Sequence, residues 1–211
     1  LMRGPEEADL TRSESWTFAE ELPFCAIEGD PKLIGVPFWA PGPTDPGSSQ
    51  NDRKMNPIGW LETNVVQFVD PDHIWTDPSG RTFHLWMRAH TGSTGLACIA
   101  KVVERDDGSM ATSIERAPSG DPVLYVPCPG GQMRFHILYD EVGKLYWLLS
   151  SVATDSMTRP DRLPPMRYNL PNNERHILAL HFSKNCVDWC MAGLVAKGRT
   201  AGEGRHYASM I

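Results

Sequence analysis

The chain has 211 residues, of which 41% are hydrophobic and 22% charged, a composition typical of a globular protein with a sizeable core. The formal net charge is −6 and no basic block occurs, so nucleic acid is not an expected partner. No apolar run reaches the ~18 residues of a membrane-spanning helix, and no signal peptide opens the chain. Gly and Pro, at 18 residues each, favour many turns and short strands over long helices.

The cysteines do not indicate a metal site. None has the C-x2-C spacing of a structural zinc site, and we expect neither a metal nor another cofactor. Two of them flank one turn and could pair, although the spacing does not decide it. The five are Cys25, Cys98, Cys128, Cys186 and Cys190. Because the chain ends inside an apolar run at Ile211, we expect it to be a fragment of a longer protein.

The first part of the chain is predicted to be mostly loop. Residues 11–18 are typical of a turn that leads into a strand. Residues 34–60 are rich in Gly and Pro, which predicts a long loop without regular structure. Such loops in compact domains are usually functional or disordered. Trp39 and Trp60 argue against plain disorder, because large apolar side chains tend to be buried, and the two could form an apolar platform for a sugar.

The rest of the chain is predicted to form short antiparallel strands. A first meander is expected from strands at 64–69, 73–76, 82–89, 95–104 and 110–116. A second is expected from strands at 133–139, 144–150, 176–182 and 189–195, with a long loop at 152–174. Residues 205–211 resemble the start of a third copy. No segment shows a convincing helical period.

A sequence repeat supports this division. The segment HIWTDPSGRTFHL from His73 aligns without gaps with HILYDEVGKLYWL from His136. Each copy has a four-residue turn with Asp first and Gly last, which is typical of a hairpin. A repeated hairpin indicates a radial β array. We therefore predict an all-β fold of β-propeller blades, with one partial propeller domain over 1–211 and blades at about 64–118, 131–196 and from 205.

The predicted topology also indicates where a site would lie. The turns within each hairpin are tight, whereas the connections at the opposite ends of the strands are long, and binding residues gather on such loops. Arginines near carboxylates suit an anionic ligand, since guanidinium binds carboxylate as a bidentate fork. The candidates for catalysis are Glu174, Asp155, Glu62 and Tyr207, and those for substrate binding are Arg88, His90, Arg134, Arg175, Arg205, Trp39 and Trp60.

One turn has a pattern of its own. In SKNCVDW, from Ser183 to Trp189, a Ser, an amide side chain two residues later and a closing Trp resemble a degenerate Asp-box turn of sialidase-type propellers. An Asx-type turn followed by a core Trp would give the same pattern.

Longer segments carry a wider resemblance. The segments MNPIGWLETNVVQF, DPSGRTFHLWMRAHTG, FHILYDEVGKLYWLLSS, LPNNERH and HFSKNCVDW are similar to bacterial sialidase-like BNR-repeat propeller proteins. The resemblance implies a six-bladed, or else five-bladed, propeller that is secreted or periplasmic and acts on glycans. Sialidases use three arginines, an Asp acid/base and a Tyr–Glu nucleophile pair, and Arg88, Arg134 and Arg205 are the arginines by position. The usual Arg-Ile-Pro motif and a full Asp-box are absent from the sequence.

The expected function is therefore hydrolysis of a terminal, acidic sugar from a glycan. Glu174 or Asp155 would be the acid/base and Glu62 a partner carboxylate, while a Tyr nucleophile is known in sialidases. Two alternatives remain open. One is a five-bladed arabinanase-type glycosidase, which needs no arginine cluster. The other is a propeller that binds carbohydrate or acts as a scaffold without catalysis.

Overall fold

The computed structural model describes residues 1–24, 27, 60–88, 94–159, 162–167 and 172–211. These residues form an all-β, antiparallel structure, with 3-10 turns at Ser13–Ser15 and Pro165–Arg167 and no α-helix within the described ranges. Accordingly, that part of the chain holds no helix that could cross a membrane. The strands are β1 Met2–Arg3, β2 Thr17–Phe18, β3 Leu61–Val66, β4 Thr82–Arg88, β5 Leu96–Glu104, β6 Met110–Ser113, β7 Glu115–Arg116, β8 Pro122–Val123, β9 Tyr125–Pro127, β10 Phe135–Asp140, β11 Leu145–Ser151, β12 Ile177–Ser183 and β13 Cys190–Lys197.

The first large sheet is the meander β3-β4-β5-β6, completed by a fifth strand. Val65 lies opposite Leu85, and Trp86 lies opposite Ile99. Strand β5 is long, so its second half pairs with β6 and its first half with β9 on the same side. The sequence analysis placed no strand between residues 116 and 133, and β8 and β9 correct that prediction. Strand β9 forms because β6 is too short to pair with the whole of β5.

The second large sheet is the four-stranded meander β10-β11-β12-β13, as predicted. Ile137 lies opposite Leu148, and Leu148 lies opposite His181. The turn after β10 is closed by the carboxylate of Asp140, which accepts hydrogen bonds from the backbone N–H groups of Val142 and Gly143 at 2.9 and 3.0 Å. The Asp at the start of this turn therefore has the capping role that its sequence pattern indicates.

The predicted strand at residues 73–76 is wrong, and this changes the alignment of the repeat. His73 accepts a backbone hydrogen bond from Thr76, and its Nδ1 accepts one from the Trp75 N–H, so the segment closes on itself as a turn. The second strands match as the repeat predicts, since Leu85 and Leu148 have the same place in β4 and β11. Their partners are Val65 and Ile137, however, so Ile137 corresponds to Val65 and not to Ile74.

The two large sheets pack face to face around the main apolar core. Trp86 and Ile99 of the first sheet meet Phe135, Tyr146 and Leu148 of the second, and all five are buried. The other face of the first sheet is covered by the N-terminal segment, in a smaller cluster that contains Leu22, Phe24, Trp60, Leu85, Met87 and Met110. Burial of these side chains removes a large apolar area from water, which stabilises the paired sheets.

A buried side chain joins the first strands of the two sheets. Asn64 of β3 donates through Nδ2 to the Phe135 carbonyl at 3.2 Å and accepts through Oδ1 from the Ile137 N–H at 3.0 Å. The amide thus satisfies two buried backbone groups of β10 that have no strand partner on that side. The Tyr146 hydroxyl adds a second link, donating to the Gln67 carbonyl at 2.7 Å.

The turn between β12 and β13 has the side-chain-to-backbone hydrogen bonds expected of an Asx-type turn and of a degenerate Asp-box alike. Asn185 Oδ1 accepts from the backbone N–H groups of Val187 and Asp188 at 3.0 and 2.8 Å. Trp189 packs against the core between the sheets and donates from Nε1 to the Pro127 carbonyl at 3.2 Å. The flanking Cys186 and Cys190 are both free thiols, so they do not pair.

Candidate functional site

The segment 130–132, just before β10, positions part of the candidate site. A Cβ on Gly131 would lie 2.3 Å from the Leu96 carbonyl oxygen, and one on Gly130, whose φ is +77°, would lie 2.6 Å from Ser151 O. Only glycine permits such close backbone approach. The next residue, Gln132, is buried; its Oε1 accepts from the Gly95 N–H at 3.0 Å and its Nε2 donates to Ser151 O at 3.3 Å.

This segment holds Arg88 at the end of β4. Arg88 is 5% exposed, and its Nε donates to the Gln132 carbonyl at 3.0 Å. Its Nη1 lies 3.3 and 3.5 Å from the two carboxylate oxygens of Glu62 and 3.4 Å from the Tyr207 hydroxyl. The guanidinium is therefore fixed from behind by a backbone carbonyl and directed toward an acid and a phenol.

Glu62 and Tyr207 form the centre of the cluster. The Tyr207 hydroxyl donates to Glu62 Oε1 at 2.7 Å, although the two residues are far apart in sequence. Both have left-handed backbone conformations, with φ of +51° and +59°. Glu62 lies in a register shift of β3 between Leu61 and Asn64, and such bulges redirect side chains beside functional sites. Non-glycine residues with positive φ are uncommon and gather at such sites.

Arg134, just before β10, contacts the same tyrosine from another side. Its Nη1 donates to the Tyr207 backbone carbonyl at 2.8 Å and its Nη2 to Ser209 Oγ at 3.4 Å. Its guanidinium carbon lies 5.6 Å from the centre of the Tyr207 ring, within the range of a cation–π contact. The structure thus brings together four of the predicted site residues: Glu62, Arg88, Arg134 and Tyr207.

Glu174 and Asp155 form a different, more buried network. Glu174 is 1% exposed and accepts from the backbone N–H and the hydroxyl of Thr154, both at 2.8 Å. Buried Arg167 is paired with Asp155 and lies 3.8 Å from Glu174. Burial would raise the pKa of Asp155, but its pairing with the Arg167 guanidinium outweighs burial and lowers it. These contacts hold the start and end of the long 152–174 connection together and leave Glu174 without access to solvent.

The other predicted residues have less central places. Trp60 packs edge-on against Phe24, at 4.9 Å, and donates to the Leu22 carbonyl at 2.7 Å, so it belongs to the N-terminal apolar cluster. Arg205 lies 3.5 Å from Glu203, and its carbonyl accepts from Ser151 Oγ at 3.1 Å. Arg175 donates to Asn173 Oδ1 at 2.8 Å. Trp39 and His90 lie outside the described residues.

The sequence reasoning missed two features. One is Gln132, whose only sequence signal is its place between a Gly-Gly pair and Arg134. The other is a buried ionic cluster at the opposite ends of the strands. There His84 Nε2 lies 2.6 Å from Glu115, and Lys101 Nζ lies 3.0 Å from the same carboxylate, beside a cleft of about 450 Å³. His84 faces Lys101 across β4 and β5, a pairing that a correct strand register would have indicated.

Within the described ranges, no three His, Cys, Asp or Glu side chains are grouped so that they could hold a metal ion. Comparison of the chain with models of protein families, with curated proteins and with solved structures finds no match. The functional proposal therefore depends on the geometry of the site and on the sequence resemblance.

Proposed function

We propose that the protein is a sialidase-like glycoside hydrolase that cleaves a terminal, acidic sugar, with Tyr207 as nucleophile and Glu62 as its base. The observation that carries the proposal is the 2.7 Å hydrogen bond from the Tyr207 hydroxyl to Glu62, with Arg88 beside both groups. A tyrosine that passes its proton to a carboxylate can attack the anomeric carbon as the glycosidic oxygen leaves. Water then releases the sugar from the tyrosine.

The charges around the pair suit an acidic sugar. Arg88 contacts both members of the pair, Glu62 and Tyr207. The side chain of Arg205, near the same end of the strands, is 40% exposed. Guanidinium groups bind carboxylates and sulfates in a planar, bidentate manner. Arg88 is already shared with Glu62, so we assign the outer part of the acidic group to Arg205.

The repeated contacts favour a propeller for the fold that presents this site. The backbone N–H of Ile137 donates to the side chain of Asn64, and the N–H of Met210 donates to His136 Nδ1 at 3.0 Å in the same manner. Residues 209–211 thus lie against β10 as β10 lies against β3. Counted from these contacts, Glu62, Arg134 and Tyr207 occupy corresponding places in three successive copies. Side chains from corresponding places meet when the copies are arranged around one axis.

Glycosidase activity can be tested with nitrophenyl glycosides of sialic acids, uronic acids and neutral sugars. The nitrophenolate leaves without protonation, so the test does not depend on knowing which residue is the general acid. We expect hydrolysis of an acidic glycoside, and a loss of about 10²-fold or more in Glu62→Gln and Tyr207→Phe. The control is Tyr139→Phe, on β10 at the opposite end of the strands, which should retain activity. Equal activity in the wild type and both site variants would refute these roles.

A carbohydrate-binding propeller without catalysis is the second candidate. It is favoured by the placement of Asp155 and Glu174, the predicted acids, which are held by Arg167. It predicts that a labelled acidic glycan binds to the wild type and to Glu62→Gln alike, with no hydrolysis of any glycoside. For either function we propose a secreted or periplasmic location, which fractionation of the source cells would test.

A further inference from the structure

We propose that Arg134 is a positioning residue for Tyr207 and not a ligand of the substrate's acidic group. The inference rests on the proposed function, in which Tyr207 is the nucleophile. By position in the sequence Arg134 was expected to bind substrate, as one of three arginines. Its contacts assign it another task.

Among the described residues, the guanidinium of Arg134 contacts one short segment, which contains Tyr207 and Ser209. One nitrogen donates to the Tyr207 carbonyl at 2.8 Å, another is 3.4 Å from Ser209 Oγ, and the cation lies over the Tyr207 ring. A fork that bonds two points two residues apart fixes both the position and the rotation of the chain between them. In this arrangement both terminal nitrogens of Arg134 donate to the segment that carries Tyr207, and this favours positioning over substrate binding.

The segment needs such a clamp. Tyr207 is 45% exposed and has a left-handed backbone, and residues 205–211 form no strand. For a non-glycine residue that conformation costs about 1 kcal/mol or more, so surrounding contacts must hold it. In this arrangement the hydroxyl of Tyr207 reaches Glu62. Loss of the clamp should therefore disturb the Tyr207–Glu62 bond, while Arg88 keeps its bond to the Gln132 carbonyl.

The kinetic test compares a charged substrate with an uncharged one: the nitrophenyl glycoside of an acidic sugar and its methyl ester. In Arg134→Gln we expect kcat to fall by about 10- to 100-fold on both, the scale of a misplaced reacting group. The ratio of kcat/KM between acid and ester should stay within about threefold of the wild-type ratio. Arg134→Lys, which retains charge but not the fork, should be similarly impaired. Arg81→Gln, at the opposite ends of the strands, is the surface-arginine control and should have no effect. A ratio that collapses while kcat is retained would overturn the proposal.

Amide hydrogen exchange provides a readout that does not need activity. Arg134→Gln should raise exchange in residues 205–211 at least about tenfold and leave β10 unchanged, because local opening free energy sets the exchange rate. Unchanged exchange in 205–211 would overturn the positioning role even if activity falls. If the wild type hydrolyses no glycoside, the proposed function fails, and the exchange result still decides whether Arg134 orders the Tyr207 segment.

Discussion

Glu115 should make the stability of the protein depend on pH in the acid range. This carboxylate is 4% exposed and is bonded by His84, Lys101 and the Arg116 N–H. Burial would raise its pKa, but the hydrogen bonds from His84, from the Arg116 backbone and from Lys101 outweigh burial and lower it from 4.5 to about 2. At about 1.4 kcal/mol per pH unit, ionised Glu115 contributes about 3 kcal/mol to the folding free energy.

The sign of the effect follows from the lowered pKa. The contribution is fully present above pH ~4.5 and is lost as the pH falls toward about 2, because the unfolded chain then binds the proton more readily. Glu115→Gln should therefore lower the free energy of unfolding by about 3 kcal/mol at neutral pH, and by progressively less below pH ~4.5.

Urea unfolding of the wild type and Glu115→Gln at several pH values would measure this difference. The matched control is Glu141→Gln, an exposed residue of the β10–β11 turn, which should change stability by no more than about 0.5 kcal/mol at any pH. A Glu115→Gln effect below about 1 kcal/mol at neutral pH, or one that stays constant down to pH ~2.5, would refute the assigned ionic cluster.

Three further predictions test the packing. Asn64→Leu should destabilise the protein by about 2–4 kcal/mol in urea unfolding, because it leaves two buried backbone groups without partners. The control is Val65→Ala, at a half-exposed position in the same strand, which should cost less than about 1 kcal/mol. Gly131→Ala should lower the melting temperature through its clash with the Leu96 carbonyl, and Gly193→Ala, with open space around its Cβ, should not. In a Cys25→Ser background, Cys190→Ser should abolish the fast phase of thiol labelling, because Cys98, Cys128 and Cys186 are buried and Cys190 is exposed. An unchanged fast phase would show that a buried thiol is accessible.

Strand type and order were largely predictable because they depend on local pattern. The alternation and turn residues of 135–151 predicted β10 and β11 within one or two residues. The repeat also placed β4 correctly, since Leu85 and Leu148 have matching places in their sheets. The first strand of the first sheet was misaligned because the repeat gave weight to His73. That residue is used for a local turn, and only the long-range pairing of Val65 with Leu85 distinguishes the two choices.

The composition of the site was more predictable than its geometry. Ends of strands with long connections identified Glu62, Arg88 and Arg134 as candidates, and the predicted start of a third copy identified Tyr207. The sequence could not show that Glu174 is enclosed by Thr154, because both belong to one long connection whose path depends on tertiary packing. For the same reason the sequence placed Glu174 and Glu62 in one candidate set, whereas the structure puts them in separate networks.

The contact that repeats in space does not repeat in residue type, which explains why the alignment missed it. Asn64 presents an amide oxygen to the Ile137 N–H, and His136 presents a ring nitrogen to the Met210 N–H. Each supplies one acceptor to an otherwise unpaired backbone donor, and any short side chain with an acceptor at that depth would serve. Two positions before these acceptors lie Glu62 and Arg134, which both contact Tyr207 although they differ in charge. In the proposed propeller, a carboxylate, a guanidinium and a phenol would then occupy corresponding places, and their difference would give the proposed site its chemistry.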